Sequence, residues 1–419
     1  MKKTGVLKLT VLVLLLSLSA IGLFWATANM DLQSIYNGGG SSESAQVLVA
    51  SSGVPDSEPE PQPEPEPSKL HFMAAGDNLI HDNIYKQAAA RVGGNGFDFD
   101  LPYEHVAGLF EDADIAFINQ ETIIAENIYP LSGYPLFNSP EAVGDKIVDM
   151  GFNVVCMSNN HMFDMGEPGL IAAMDFWGAK PDVLSMGAWR TEEDMQQPVT
   201  IEKNGITIGF VPITEHTNGL KLPAKTPLRF IRSDEYDLMK QQVELARANS
   251  DFVVVSIHWG TENSNNTNDN QLELSQMFAD WGVDLVLGHH SHTLQPMEWR
   301  TGQGGNRMLV VYSLGNFISS MLDPQNMLGG VLDLDIEKDP KTGETTITRA
   351  KMNPIVTQYD TTGRKDVRIY PFIEYTDELV KKHGMTQWHG QFSQTYLSGI
   401  IKKNIPTEFL NDDVLTKIG

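Results

Sequence analysis

The chain has 419 residues, 41% of them apolar, with 30 lysines and arginines against 54 aspartates and glutamates, a net charge of −24. That apolar share supplies a sizeable core, so wholesale disorder is excluded, and the length fits one large or two ordinary domains. The sign of the charge argues against nucleic-acid binding by phosphate neutralisation, and the lone cysteine, Cys156, rules out an internal disulfide and any zinc or iron–sulfur site built from several thiolates.

Lys2, Lys3 and Lys8 precede an uncharged apolar run over residues 9–28. At about 1.5 Å rise per residue such a run spans about 30 Å, the thickness of a bilayer core, whereas a cleaved leader needs only about 7–15 apolar residues. The pattern predicts a transmembrane signal anchor over 1–28 with the remainder outside the cell. Ala26-Thr27-Ala28 also has the small residues of a cleavage site, so a removed leader fits as well. Residues 29–68 read as a flexible linker, Ser/Gly-rich and then alternating Glu and Pro from Glu58 to Pro67. Proline at every second position gives an extended, disordered spacer with no chemistry of its own.

A domain is expected over 69–355, because short apolar runs there alternate with amphipathic stretches. Strands are predicted at 70–75, 115–118, 153–157, 206–211, 252–257, 285–287 and 308–312, helices at 141–150, 169–177, 234–248 and 272–281, and a closing hairpin at 331–336 and 345–352. This is the pattern of an α/β fold with a largely buried sheet. Residues 356–419 are expected to be a C-terminal helical extension, with helices at 375–382 and 391–401.

Six of these strands run directly into polar clusters: Gly76-Asp77-Asn78, Asn119-Gln120-Glu121, Asn159-Asn160-His161 with Asp164, His258-Trp259-Gly260-Thr261-Glu262, Gly288-His289-His290-Ser291-His292, and Ser313-Leu314-Gly315-Asn316. The C-terminal ends of strands are where α/β sheets place ligand sites. A single Gly-Asp is usually a turn or helix cap, and a single strand-end histidine is usually structural. Three imidazoles within four residues are not explained that way. A period of two would put His290 and His292 on one side of an extended segment, as ligands of adjacent cations. His71, His105, His216, His383 and His389 lack such a pattern and read as ordinary, while His81 could approach the site.

In this order, Gly76-Asp77, Asn119-x-Glu121, Asn159-Asn160-His161-x-x-Asp164-x-Gly166, His258-x-Gly260-x-Glu262, His290-x-His292 and Ser313-Leu314-Gly315-Asn316-Phe317 resemble the calcineurin-like metallophosphoesterase superfamily. Within it they are most similar to the poly-γ-glutamate capsule synthesis (CapA-type) branch, over roughly residues 70–320. The resemblance implies a metallophosphoesterase-like sandwich of two mixed sheets flanked by helices. It also implies two divalent metal ions, one held by Asp77 and His292, the other by Asn160, His258 and His290, with Glu121 between them. His161 would protonate a leaving group, oriented by Asp164. Asn119, His289, Glu262 and Asn316 would support the ligands or contact substrate. The superfamily's opening Asp-x-His is departed from at Leu79, and Glu121 stands where an aspartate is usual.

Imidazole, carboxylate and carboxamide donors suit Mn, Fe or Zn. The resemblance implies a membrane-anchored extracellular protein of poly-γ-glutamate production or export. Its partners would be a polyanionic polymer, the membrane and capsule synthase or export subunits, with no nucleic acid. A metal-dependent phosphodiesterase or phosphatase acting on an extracellular ester is the alternative, as is a non-catalytic metal-stabilised subunit. A polyanion would be repelled by most of this surface, and Lys221, Lys225, Arg229 and Arg232 form a candidate basic patch for it.

Overall fold

The computed structural model describes residues 66–360 and 363–419. The apolar run at 9–28 and the linker as far as residue 65 lie outside those residues. Among the described residues, no helix is long and apolar enough to cross a membrane.

Uninterrupted apolar runs become strands buried on both faces, and they do so in two sheets. The chain first lays down β1 (Ser68–Asn78), β2 (Ile115–Asn119), β3 (Val154–Cys156) and β4 (Leu184–Met186). It then crosses to a second sheet with β5 (Val199–Lys203), β6 (Ile206–Thr214), β7 (Ile231–Arg232), β8 (Phe252–His258), β9 (Leu285–His289), β10 (Met297–Thr301) and β11 (Arg307–Val311). It returns to the first with β12 (Asn316–Ile318), β13 (Leu328–Lys338), β14 (Thr345–Gln358) and β15 (Arg368–Pro371). The first sheet has the order β15-β14-β13-β1-β2-β3-β4, with β12 also paired to β1; the second has β10-β11-β9-β8-β6-β5, with β7 on β6. Both are mixed: β1 to β4 run parallel while β13, β14 and β15 alternate, and β6, β8, β9 and β11 run parallel between the antiparallel edge strands β5 and β10.

The side-chain period of two sorts each strand of the second sheet between two cores. In β8, Phe252 and Val254 face the first sheet, whereas Val253, Val255 and Ile257 face the helices Tyr236–Asn249 and Asp269–Asp280. Leu285 and Leu287 of β9 follow the first set and Val286 the second. The sheets meet through pairs such as Phe117 on β2 and Phe210 on β6, whose ring centroids lie 6.4 Å apart. Helices Glu141–Asp149 and Gly166–Gly178 cover the outer face of the first sheet with Val143, Ile147 and Leu170. The α/β reading is therefore realised as a sandwich of two mixed sheets flanked by helices.

The expected strands and helices match observed ones to within a few residues, with additions. Asn204 and Gly205, at φ +53° and +77°, turn β5 into β6 as a two-residue hairpin, a local signal the strand prediction passed over. Residue 355 falls inside β14, and β15 adds a strand before the C-terminal helices. Those helices pack on the same core through Leu397, Ile401, Phe409 and Val414, and the described residues form one compact unit.

His383 shows how this C-terminal stretch is fastened. Its Nδ1 accepts from Met385 N at 2.9 Å, which requires the proton on Nε2, 2.9 Å from the Thr357 carbonyl. Burial pushes its pKa down to about 4. Above about pH 6.5 the ring is neutral in both folded and unfolded chains and its contribution is complete; as pH falls from there toward 4 the unfolded chain takes the proton first. Up to about 3 kcal/mol of stability is lost across that window. Urea denaturation between pH 7 and 4 should show this slope, and His383→Gln should flatten it; an unaltered slope would place its origin elsewhere.

Candidate metal centre

The two sheets align their strand ends. Asp77 pairs in register with Asn119 of β2 on one side and Asn316 of β12 on the other, and Asn119 pairs with Cys156 at the end of β3. In the second sheet Thr214, His258 and His289 form the last rung across β6, β8 and β9. Backbones approach closely where these ends converge, and two glycines permit it. A Cβ on Gly76 would lie 1.9 Å from the Gly315 carbonyl oxygen, and one on Gly288 would lie 2.0 Å from that of Tyr312.

Asp77, Glu121, Asn119, Asn160, His258, His289, His290, His292 and Asn316 are all buried at this convergence. Asn119 Nδ2 donates to Asp77 Oδ1 at 2.8 Å, and His292 Nδ1 lies 3.2 Å from Asp77 Oδ2 and 3.0 Å from Asn316 Oδ1. Glu121 Oε1 stands 3.6 Å from both His292 Nε2 and His258 Nε2, and the latter is 3.1 Å from His290 Nδ1. Ligand atoms of Asp77, Glu121 and His292 all lie within 4.8 Å of one another, a group that could hold a divalent cation. Glu121 therefore sits between an Asp77–His292 pair and a His258–His290 pair.

The donor set fits a cation in one further respect. Both Glu121 carboxylate oxygens and Asn160 Oδ1 are buried without a hydrogen-bond partner. Buried polar atoms in folded proteins are almost always satisfied, so such a cluster of orphans marks a place built for something else. Its titration behaviour is equally unbalanced. Burial alone would raise the Asp77 carboxyl, but the adjacent His289 and His292 rings outweigh it and hold the group well below the usual carboxylate range. Burial pushes Glu121 well above that range. Burial and neighbouring imidazoles hold His258 well below its ordinary value and bring His290 to about 3. In His292 burial is overcome by Glu121 and Asp77, which raise it to about 10.

His290 and His292 reach the site differently from expectation. β9 ends at His289, and His290 and His292 adopt φ of +86° and +55°, so they project from a tight left-handed turn rather than from an extended segment. Left-handed backbone at a non-glycine residue costs of order 1–3 kcal/mol and persists where the surroundings demand it. His289 instead points back toward Phe117, with ring centroids 5.8 Å apart, and its Nδ1 stands 3.4 Å from Asp77 Oδ1 without hydrogen-bond alignment.

The loop after β3 supplies a second dyad. His161 Nδ1 lies 2.7 Å from Asp164 Oδ2, which also accepts from Phe137 N at 2.7 Å, and the Phe137 ring meets the imidazole edge-on at 4.7 Å. This fixes the Nδ1–H tautomer and leaves Nε2 for proton exchange. Glu262 is exposed, and its charge still acts on Glu121 and His292. His81 is half-buried beside Phe137 and accepts a long bond from Ser320 N. Of the basic patch, Arg229 donates to the carbonyls of 226–228 and pairs with Glu192, and Arg232 pairs with Asp234; Lys221 and Lys225 are exposed.

His216, read as ordinary in the sequence, and Asn218, which the sequence reading did not single out, also arrive here. The loop leaving β6 puts the His216 ring 5.0 Å from that of His290 and the Asn218 side chain between Asn160 and His161. No periodic or spacing signal marks them; only the pairing of β6 with β8 could have.

Taken together, a mixed two-sheet α/β sandwich with an Asp/Glu/His cluster at its strand ends defines a candidate metal-binding protein. Residues 71–321, more than half the chain, match the family described as bacterial capsule synthesis protein PGA_cap, and the chain belongs to that family. The PGA biosynthesis protein CapA of Bacillus subtilis (strain 168) is 32% identical over 171 residues, 41% of this chain and 43% of that one. The capsule biosynthesis protein CapA of Bacillus anthracis is 25% identical over 233 residues, 54% and 55% of the two chains. The chain thus spans about half the length of the curated relatives it matches. Among solved structures, the calcineurin-like phosphoesterase YfkN from Bacillus subtilis aligns with a TM-score of 0.42 and 14% identity, over 80% of this chain and all of that one.

Substituting Gly76→Ala should force β1 and β12 apart, lowering stability by about 1–3 kcal/mol and displacing Asp77 from Asn316. Gly108→Ala, whose Cβ would meet only Glu111 Oε1 at 3.8 Å, serves as the neutral control. Thermal melting of both variants, with cation binding followed in parallel, checks this; equal behaviour of the two would show that the close approach is not required.

Proposed function

We propose that this is a membrane-anchored extracellular protein of poly-γ-glutamate capsule biosynthesis or export, and that it acts through a hydrolytic centre for two divalent cations. Family membership and the capsule-related names of the relatives support the polymer. The apolar run at 9–28 supports the anchor. The single observation that carries the hydrolytic reading is the Glu121 carboxylate, fully buried with neither oxygen hydrogen-bonded and imidazoles of two separate pairs 3.6 Å away.

In this reading Asp77 and His292 would hold one cation, Asn160, His258 and His290 would hold the other, and Glu121, which lies between the two pairs, would contribute its carboxylate. Cations so placed supply a water acidified from 15.7 to about 7 and a clamp for the oxyanion of a displaced ester or amide. The rest of the chemistry belongs to side chains. Asn119 fixes the Asp77 carboxylate, and Asn316 fixes the rotamer and tautomer of His292. Once Nε2 has taken up a proton, His161 would hand it to the departing group while Asp164 holds the ring through Nδ1. A binding module needs no such dyad, which favours catalysis over a purely structural role. Beside the site, Thr217, Lys221, Arg229 and Arg232 line a groove of about 370 Å³, where the exposed Lys221 would meet an anionic chain.

Mn²⁺-loaded full-length protein, assayed on poly-γ-glutamate and a phosphodiester side by side, tests this. His161→Ala should keep the cations and lose about 10²–10⁴-fold in turnover. Glu121→Gln should fold and lose cation binding, because the carboxylate that both pairs share is gone. Turnover of the phosphodiester alone would reassign the substrate, and turnover of neither would refute the hydrolytic centre.

A further inference from the structure

The loop leaving β6 is braced at both ends against the centre. Glu215 N donates to the His258 carbonyl at 2.9 Å, and the Glu215 carboxylate accepts from Gly260 N at 2.9 Å and Asn270 Nδ2 at 3.0 Å. The His216 ring stands edge-on to His290, and its Nδ1 accepts from Asn218 N at 3.3 Å. Asn218 adopts φ +49°, a conformation that asparagine tolerates better than most residues, and Gly219 follows at +77°. This turn throws the Asn218 carboxamide across the neighbouring loop. Its Oδ1 accepts from Asn160 Nδ2 at 3.3 Å, and its Nδ2 lies 3.4 Å from His161 Nδ1.

A carboxamide has one donor end and one acceptor end, and only the oxygen ligates a cation. Asn160 can therefore serve the centre in one of its two flips. An acceptor at Asn218 Oδ1 selects that flip: it engages the Asn160 NH₂ and leaves Asn160 Oδ1, which is buried and without a partner. His161 Nδ1 already donates to Asp164 at 2.7 Å, so the 3.4 Å approach of Asn218 Nδ2 brings two donors together and adds no competing bond. We infer that Asn218 is a positioning residue of the metal centre, setting the Asn160 carboxamide so that its oxygen faces the cation. This rests on the two-cation reading above, in which Asn160 is a ligand.

Outer partners of metal ligands typically contribute about 10–100-fold in affinity. Mn²⁺ alone, titrated into the cation-free full-length chain and followed by calorimetry and electron paramagnetic resonance, should bind to the wild type in two equivalents. Asn218→Ala should weaken one equivalent about 10–100-fold and leave the other unchanged, while Asn218→Asp, which keeps an acceptor for Asn160, should retain both. The decisive comparison is made in an Asn160→Asp background. A carboxylate has two equivalent oxygens and no flip to set, so adding Asn218→Ala there should cost nothing beyond Asn160→Asp alone. Wild-type affinity for both equivalents in Asn218→Ala, or an undiminished loss in the Asn160→Asp background, would overturn the inference while leaving the metal centre standing. Failure of the wild type to bind Mn²⁺ at all would instead remove the centre itself, and the inference with it.

Discussion

Two carboxylates sealed away from water in one place constrain everything around them. Desolvating a charged group costs several kcal/mol even after relaxation, and breaking up its partners costs more. Asp77 recovers this through Asn119, the His290 amide and the His292 ring. Glu121 recovers almost none, which is why burial drives it toward its neutral form. The left-handed turns at His290 and His292 add backbone strain at the same point. Such costs are tolerable only on a rigid support, and the strand ends beneath them are clamped between two fully packed apolar layers.

The division of donors between the sheets follows from this support. Oxygen donors come from the first sheet, as Asp77, Glu121 and Asn160 end or follow β1, β2 and β3. Nitrogen donors come from the second, as His258, His290 and His292 end or follow β8 and β9. The seam between the sheets is therefore also the seam between the two kinds of ligand. A cation there would tie the layers together at one end, while Phe117 and Phe210 pack between them deeper in the sandwich. Asn218, from the second sheet, reaches back across that seam to Asn160 of the first.

Much of this was legible in the sequence because parallel strands buried on both faces read as unbroken apolar runs, and the polar cluster after each run marks its C-terminal end. β8 shows it with a single interruption: Phe252 to Val255, then Ser256 and Ile257, then His258. What stayed hidden depends on pairing between distant segments. β12 is three residues long and looks like loop; its identity comes from lying beside β1. His216 and Asn218 carry no pattern of their own and matter only because β6 is hydrogen-bonded to β8. The period of two put His290 and His292 on one side of an extended segment; the structure brings both to the cluster from a left-handed turn instead.

The pairing of β1 with β12 has a further consequence. Asp77 N donates to the Gly315 carbonyl at 2.9 Å, and Asp77 aligns with Asn316, so the first and last polar clusters of the site are neighbours across most of the domain's length. Closing a loop of that size is entropically slow, and non-local sheet pairing delays folding generally. The carboxylates of β1 and β2 belong to the first third of the chain, whereas the segment that seats Asp77 and fixes His292 comes about 240 residues after Asp77. Until the segment carrying Asn316 pairs with β1, the cluster lacks one wall, so its geometry is completed by a long-range contact rather than a local one.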